Sequence, residues 1–201
     1  MKLLFLTNSD VTRPLYEWLV SRGENVIYHE DKVTPGMILD FQIEFIVSYN
    51  YSHIIKPDVI SLLPHHIINL HISYLPWNRG ASPNLWAFLE GTPCGITIHK
   101  VDQGLDTGDI LVQKKLVFDH CKETLRNAYE KSHAEIQKLF QMHWNEMKCG
   151  KIPPFKQSGQ GSFHVRKDLA SYKQLFTYDD YIDDFVRKVT SDETWHVLHP
   201  C

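Results

Sequence analysis

Short apolar runs and amphipathic segments alternate along the first third of the chain. Continuous apolar runs are typical of strands buried on both faces, whereas apolar positions three and four apart are typical of helices. The pattern predicts strands at Lys2–Thr7, Asn25–His29 and Phe45–Ser48. It predicts helices over Pro14–Arg22, over Gly36–Gln42, and over Ile54–Leu63 with an interruption or a kink at Pro57. This alternation of strand and helix indicates right-handed crossovers and a parallel sheet.

Two polar side chains lie at the end of a fourth apolar run, which begins at Ile67. Because side chains alternate along a strand, Asn69 and His71 should share one face. Ligands bind at the carboxyl ends of strands in open α/β sheets. A further predicted strand, Gly95–Val101, leads into a loop rich in Gly and Asp that could carry Asp106 back to His71. An amide donor, an imidazole and a carboxylate at one sheet edge suggest an acyl-transfer site.

From Asn84 onward the pattern predicts one more strand, one short helix and one long helix before the composition changes. The predicted elements are a helix over Asn84–Glu90, a strand over Asp109–Phe118 and a helix over Lys122–Lys148. After Gly150 the chain is rich in Pro, Gly and Ser, then polar and aromatic. We therefore predict a catalytic domain over residues 1–150 and a short C-terminal extension, residues 151–201, packed on the same domain.

Two motifs in the chain resemble the signature of a known enzyme family. They are Asn69-x-His71-x-Ser73-x-Leu75-Pro76 and Gly104-x-Asp106-Thr107-Gly108. In order and spacing they resemble the signature of the formyltransferases that use N10-formyltetrahydrofolate. The stretch Leu75–Gly80, followed by Pro83-Asn84-x-Trp86, is most similar to the sugar N-formyltransferases. The resemblance implies an α/β class, a Rossmann-like formyltransferase fold with a mostly parallel central sheet flanked by helices.

The resemblance also implies an activity, transfer of a formyl group to the amine of a nucleotide-linked amino-deoxysugar, such as a TDP- or UDP-4-amino-4,6-dideoxyhexose. In that chemistry Asn69 and a protonated His71 would stabilise the developing oxyanion. Asp106 would hold His71 in its charged form and take the proton that the amine loses, directly or through water. No nucleophilic side chain and no metal is required.

Further residues are candidates for binding the two substrates. By resemblance, the folate would contact, mostly through backbone groups, a set on two loops: Ser48, Tyr49, Ile54, Gln103 and Leu105. The candidates for the acceptor are Asn8, Ser9, Trp77 and Arg79. Several of these residues have a simpler alternative. Asn8 and Ser9 suit a helix cap, Tyr49 suits surface or core packing, and Arg79 suits a salt bridge that fixes its loop.

The composition of the chain argues against several classes of function. Of the 201 residues, 21 are Lys or Arg and 24 are Asp or Glu, a net charge of −3 that argues against a nucleic-acid partner. The apolar run Met1–Leu6 is too short for a signal peptide, and no run is long enough to span a membrane. With no Cys-x-x-Cys pair, the four cysteines are predicted to be reduced. These features predict a cytoplasmic protein with no membrane partner.

Several alternatives remain open at this stage. Within the same fold they are a formyltransferase for another small amine and a formyltetrahydrofolate hydrolase, which would use water in place of the amine. Non-enzyme alternatives are a folate- or nucleotide-binding protein and a tRNA-binding adaptor. The spacing of the twelve histidines, including His196 and His199, does not favour a metal site. The aromatic tail suits a homodimer interface and suits packing on its own core equally well.

Overall fold

The chain forms two compact units in the computed structural model, which describes residues 1–190. The first unit comprises Met1–His71, Thr97–Gln113 and Ile136–Gln157. The second comprises Ile72–Ile96, Lys114–Glu135 and the described chain from Ser158 onward. Each unit is therefore assembled from stretches distant in sequence. The division predicted at residue 150 stays a prediction.

A six-stranded sheet contains the strands that position the candidate site. The strands of the chain are β1 (Lys2–Leu6), β2 (Asn25–His29), β3 (Phe45–Tyr49), β4 (Ile67–His71), β5 (Arg79–Gly80), β6 (Gly95–Lys100), β7 (Ile110–Lys115) and β8 (Phe163–His164). The order in the large sheet is β2-β1-β3-β4-β6-β7. Pairs β1–β2, β1–β3 and β3–β4 are parallel, whereas β6 pairs antiparallel to β4. The mostly parallel sheet predicted from the sequence is confirmed.

Within residues 1–190, six α-helices accompany these strands. They are α1 (Arg13–Ser21), α2 (Pro35–Asp40), α3 (Pro57–Leu62), α4 (Pro83–Leu89), α5 (Leu125–Lys148) and α6 (Ile182–Thr190). The prediction of a helix from Ile54 with a kink at Pro57 is wrong, because α3 begins at Pro57. Proline suits the first turn of a helix, since its missing N–H would have no partner there and its φ angle is already helical.

The core of the first unit covers both faces of its strands. On one face, alternate residues of β1, β3 and β4 pack with α2 and α3 in a cluster that includes Leu4, Ile46 and Ile67. On the other face, Phe45 packs edge-on against Trp144 of α5, with ring centroids 5.6 Å apart. Burial on both faces explains why these strands are continuous apolar runs rather than alternating ones.

The second unit has its own core and a small sheet that the sequence did not predict. Leu85 and Phe88 of α4 pack with residues of α5 and α6, among them Phe185. In the small sheet β5 pairs in parallel with β8, with Gly80 opposite His164. A Cβ atom at position 80 would lie 2.2 Å from the carbonyl oxygen of His164, so this close approach requires glycine.

Burial of His133 on α5 should make the protein less stable in acid. The side chain is 1% exposed beside the Tyr129 ring, and desolvation lowers the pKa of His133 to about 4. The unfolded chain therefore binds a proton between pH 6.5 and 4 that the native chain does not bind. The contribution of neutral His133 to the free energy of unfolding is fully present above pH 6.5. It is lost as the pH falls to 4 and below, which lowers the free energy of unfolding by about 3 kcal/mol.

Urea unfolding from pH 7 to pH 4 measures this effect. His133→Leu should weaken the pH dependence of the free energy of unfolding relative to the wild type. Met142→Leu, a change at an exposed residue of the same helix that does not ionise, should leave it unchanged. A His133→Leu variant with the wild-type dependence would show that another group accounts for the acid sensitivity.

Two predictions drawn from composition can be compared with the described residues. Cys94 and Cys149 are free thiols, in agreement with the prediction of reduced cysteines for these two residues, and Cys201 lies outside the described residues. Across residues 1–190 no helix combines the length and the apolar character that crossing a membrane requires.

Candidate active site

Strand β4 presents Asn69 and His71 on one face at its carboxyl end. Asn69 lies in register with Ser48 of β3 on one side and with His99 of β6 on the other. His71 is the last residue of the strand and is 8% exposed. A buried imidazole on a central strand is held in a fixed orientation, which a catalytic group needs.

The loop after β6 brings Asp106 to both residues. One carboxylate oxygen of Asp106, Oδ1, accepts a hydrogen bond of 3.1 Å from Nδ2 of Asn69. The other, Oδ2, lies 3.7 Å from Nδ1 of His71, within ion-pair reach but longer than a hydrogen bond. Catalytic contacts are often this long before substrate binds. The three residues selected from the sequence therefore lie together.

His99 is a fourth member of this cluster that the sequence analysis missed. Its Nε2 atom lies 3.2 Å from Nδ2 of Asn69 and 3.4 Å from Oδ1 of Asp106, and the residue is 2% exposed. A signal was available, because Thr97 and His99 are polar on one face of β6 while Ile96 and Ile98 are apolar on the other. To connect His99 with Asn69, however, one must also know that β6 pairs antiparallel with β4 in this register.

Hydrogen bonding assigns the tautomer of His99. Its Nδ1 atom lies 2.8 Å from the carbonyl oxygen of Lys100, which can only accept, so Nδ1 carries a hydrogen. In the tautomer that carries its hydrogen only on Nδ1, Nε2 accepts from Asn69. One amide hydrogen of Asn69 then meets the carboxylate of Asp106 and the other meets the His99 ring.

The loop that carries Asp106 is fixed by short local contacts. Asp102 accepts hydrogen bonds through Oδ1 from the backbone of Gly104, at 3.0 Å, and from the hydroxyl of Thr107, at 2.6 Å. Asp106 has a φ angle of 54°, in the left-handed region that few side-chain-bearing residues adopt. At Gly108 a Cβ atom would lie 1.8 Å from the carbonyl oxygen of Lys100. The backbone conformation of the loop, as well as the chemistry of Asp106, therefore requires the residue types of this motif.

The residues selected for folate binding differ in how far they reach solvent. Ser48 and Tyr49 on β3 are buried, at 6% and 0% exposure, so the Tyr49 side chain is a core group. Ile54 and Leu105 are 79% and 46% exposed, and Gln103 is exposed beside Leu105. Exposed aliphatic side chains after β3 and β6 offer apolar contact to a flat heterocycle. The assignment of these five residues stays a prediction.

The residues selected for the acceptor lie in both units. Asn8 connects three loops, since Nδ2 donates to the carbonyl oxygen of Glu30 and Oδ1 accepts from the backbone of Ser52, each at 2.8 Å. Ser9 precedes a short 3₁₀ helix without capping it through its side chain. Trp77 and Arg79 belong to the second unit and are both partly exposed. Their roles in binding stay predictions.

The described residues contain no group of three or more His, Cys, Asp or Glu arranged to hold a metal ion. His196 and His199, which the sequence analysis considered as a pair, lie outside the described residues, as does Trp195.

Comparison with known proteins identifies the family. The family model described as formyl transferase matches residues 28–142, which include Asn69, His71, His99 and Asp106. A methionyl-tRNA formyltransferase of Lachnospira eligens is 30% identical over 173 residues, 84% of this chain and 55% of that protein. One of Anaeromyxobacter dehalogenans is 49% identical over 78 residues, 37% of this chain and 25% of that protein. The chain spans about half or less of the length of these curated relatives.

Solved structures show the same fold over nearly the whole chain. The formyltransferase PseJ of Anoxybacillus kamchatkensis is 40% identical with a TM-score of 0.86, and the match covers 94% of this chain and all of that one. A 4-N formyltransferase of Francisella tularensis is 18% identical with a TM-score of 0.77, covering 94% and 88%, which supports the fold alone. Because the family model matches more than half of the chain and a 30% identical relative covers 84% of it, this protein belongs to the formyl transferase family.

Proposed function

We propose that this protein is a sugar N-formyltransferase that moves the formyl group of N10-formyltetrahydrofolate to the amine of a nucleotide-linked amino-deoxysugar. The observation that carries the proposal is the cluster of Asn69, His71 and Asp106 at the end of β4. Support for the acceptor class comes from PseJ, whose structure holds UDP-4,6-dideoxy-4-formamido-L-AltNAc and tetrahydrofolate. A UDP-linked 4-amino sugar is therefore the first acceptor to test.

The reaction needs stabilisation of charge on the formyl oxygen and removal of a proton from the attacking amine. The amine attacks the formyl carbon, a tetrahedral intermediate forms, and the folate nitrogen leaves. His71 and Asn69 donate to the oxygen as it becomes negative. The hydrogen bond from Asn69 to Asp106 orients the amide, and its second hydrogen, which lies on the side of the His99 ring, is shared with the formyl oxygen. Asp106 accepts the proton of the amine, directly or through one water, and this proton passes to the folate nitrogen as that nitrogen leaves, so that tetrahydrofolate departs neutral at that nitrogen.

The two substrates would contact different parts of the chain. Ile54 and Leu105 supply apolar surface for the pterin ring of the folate, and the backbone near Ser48, Tyr49 and Gln103 supplies polar groups. Arg79 offers a planar, permanently charged guanidinium that suits a diphosphate, and Trp77 offers an aromatic face for a sugar or a base. Asn8 and Ser9 remain candidates for a supporting contact.

A coupled assay with a panel of acceptors tests the proposal. The full chain is incubated with N10-formyltetrahydrofolate and TDP-, UDP- or GDP-linked aminosugars, and mass spectrometry follows the gain of one formyl group. We expect a single formylated sugar nucleotide. Folate turnover without any acceptor would instead establish a hydrolase.

Methionyl-tRNA belongs in the same panel as the second candidate acceptor. The specific reason is that the curated relatives are methionyl-tRNA formyltransferases, one of which is 30% identical over 84% of this chain. Formylation of methionyl-tRNA, with no product from any sugar nucleotide, would replace the proposed acceptor class.

A further inference from the structure

The segment after α5 supplies a side chain that holds the Asp106 loop from outside the two sequence motifs. Nε2 of Gln157 donates a hydrogen bond of 2.8 Å to the carbonyl oxygen of Asp106 and one of 2.9 Å to that of Gly108. The side-chain nitrogen of glutamine has two hydrogens, so one amide group satisfies both carbonyls. We propose that Gln157 is a positioning residue that sets the place of the Asp106 carboxylate.

The backbone conformation at Asp106 explains why such a bond matters. The positive φ angle of Asp106, 54°, directs its carboxylate toward Asn69 and His71 only while the neighbouring peptide groups keep their orientation. Conformations of this kind persist where surrounding contacts determine them. The hydrogen bond from Thr107 to Asp102 closes the loop across Asp106, and Gln157 bonds the carbonyl oxygens of Asp106 and Gly108. The backbone of Asp106 is therefore held both by a contact that spans it and by one that it makes directly.

The chain around Gln157 is itself attached to the strand that leaves the loop. Phe155 and Ile110 exchange two backbone hydrogen bonds, of 2.8 and 3.0 Å. Lys156 lies 3.0 Å from the carboxylate of Asp109 in a mostly exposed ion pair, which adds little by itself. The paired backbone fixes the position from which Gln157 reaches across to the loop. All of these residues belong to the first unit.

The inference rests on the proposed role of Asp106, and its first test does not depend on activity. In Gln157→Ala we expect faster hydrogen exchange at the backbone amides of residues 102–109 in the full chain. Gln157→Glu, which keeps the size and loses both donated bonds, should behave in the same way. The matched control is Gln137→Ala, because Nε2 of Gln137 donates to the carbonyl oxygen of Val11 at 2.8 Å, away from this loop. Unchanged exchange in both Gln157 variants would overturn the proposal.

The second test asks whether Gln157 acts through Asp106. With the acceptor found in the panel, Gln157→Ala should lower kcat by about tenfold, since small misplacements of catalytic groups have effects of this order, and should leave KM within about twofold. In an Asp106→Asn background the same change should have no further effect on kcat. An equal loss in both backgrounds would show that Gln157 acts independently of Asp106. If the wild type transfers no formyl group, the proposed function fails while the exchange experiment still decides on the loop.

Discussion

Replacing His71 with alanine is expected to lower kcat by about 10²–10³-fold, the effect typical of removing one donor to a developing oxyanion. His71 is buried on a central strand, 3.7 Å from Oδ2 of Asp106. Because the imidazole is needed only as charge develops on oxygen, KM for the folate should change much less than kcat. The measurement is steady-state formyl transfer to the acceptor identified in the panel.

The matched control is His66→Ala, a change at an exposed histidine directly before β4. It should retain wild-type turnover, and the free energy of unfolding of both variants should be measured to exclude loss of fold. Near-wild-type turnover in His71→Ala, or in Asn69→Ala, would remove these residues from the mechanism.

Replacing Trp144 with alanine is expected to destabilise the protein by about 3–5 kcal/mol, the range for deleting a large buried aromatic side chain. Trp144 is 1% exposed, stacks on Phe140 with ring centroids 5.0 Å apart, and packs edge-on against Phe45 of β3. Its indole Nε1 also donates a hydrogen bond of 2.7 Å to Glu24, which would lose this donor. Urea unfolding at pH 7 measures the change.

Met142→Ala provides the comparison for this prediction, because Met142 lies on the same helix and is 73% exposed. Its free energy of unfolding should stay within about 0.5 kcal/mol of the wild type. A loss of less than 1 kcal/mol in Trp144→Ala would mean that the core around Phe45 and Phe140 closes over the space that the indole leaves.

Much of the fold was predictable because its local signals agree with its tertiary structure. The apolar runs of β1, β2 and β3 are buried or half-buried where the pattern placed strands, and the proline and glycine positions bracket α1. The start of α3 was missed because apolar Ile54 and Ile55 extend the periodic pattern beyond the helix. The pairing of β5 with β8 was missed because two-residue strands carry no periodic signal and their partners lie about 80 positions apart.

By itself, the sequence determined the α/β class, the identity of Asn69, His71 and Asp106, and their resemblance to formyltransferases, since residue type, spacing and period are local properties of the chain. The tertiary structure alone decided that β6 runs antiparallel to β4, which places His99 against Asn69. It also decided that Gln157, fifty-one positions from Asp106, holds the backbone of that residue. Such contacts depend on strand register and on the path of the chain after a long helix, and neither can be predicted from a short segment of the sequence.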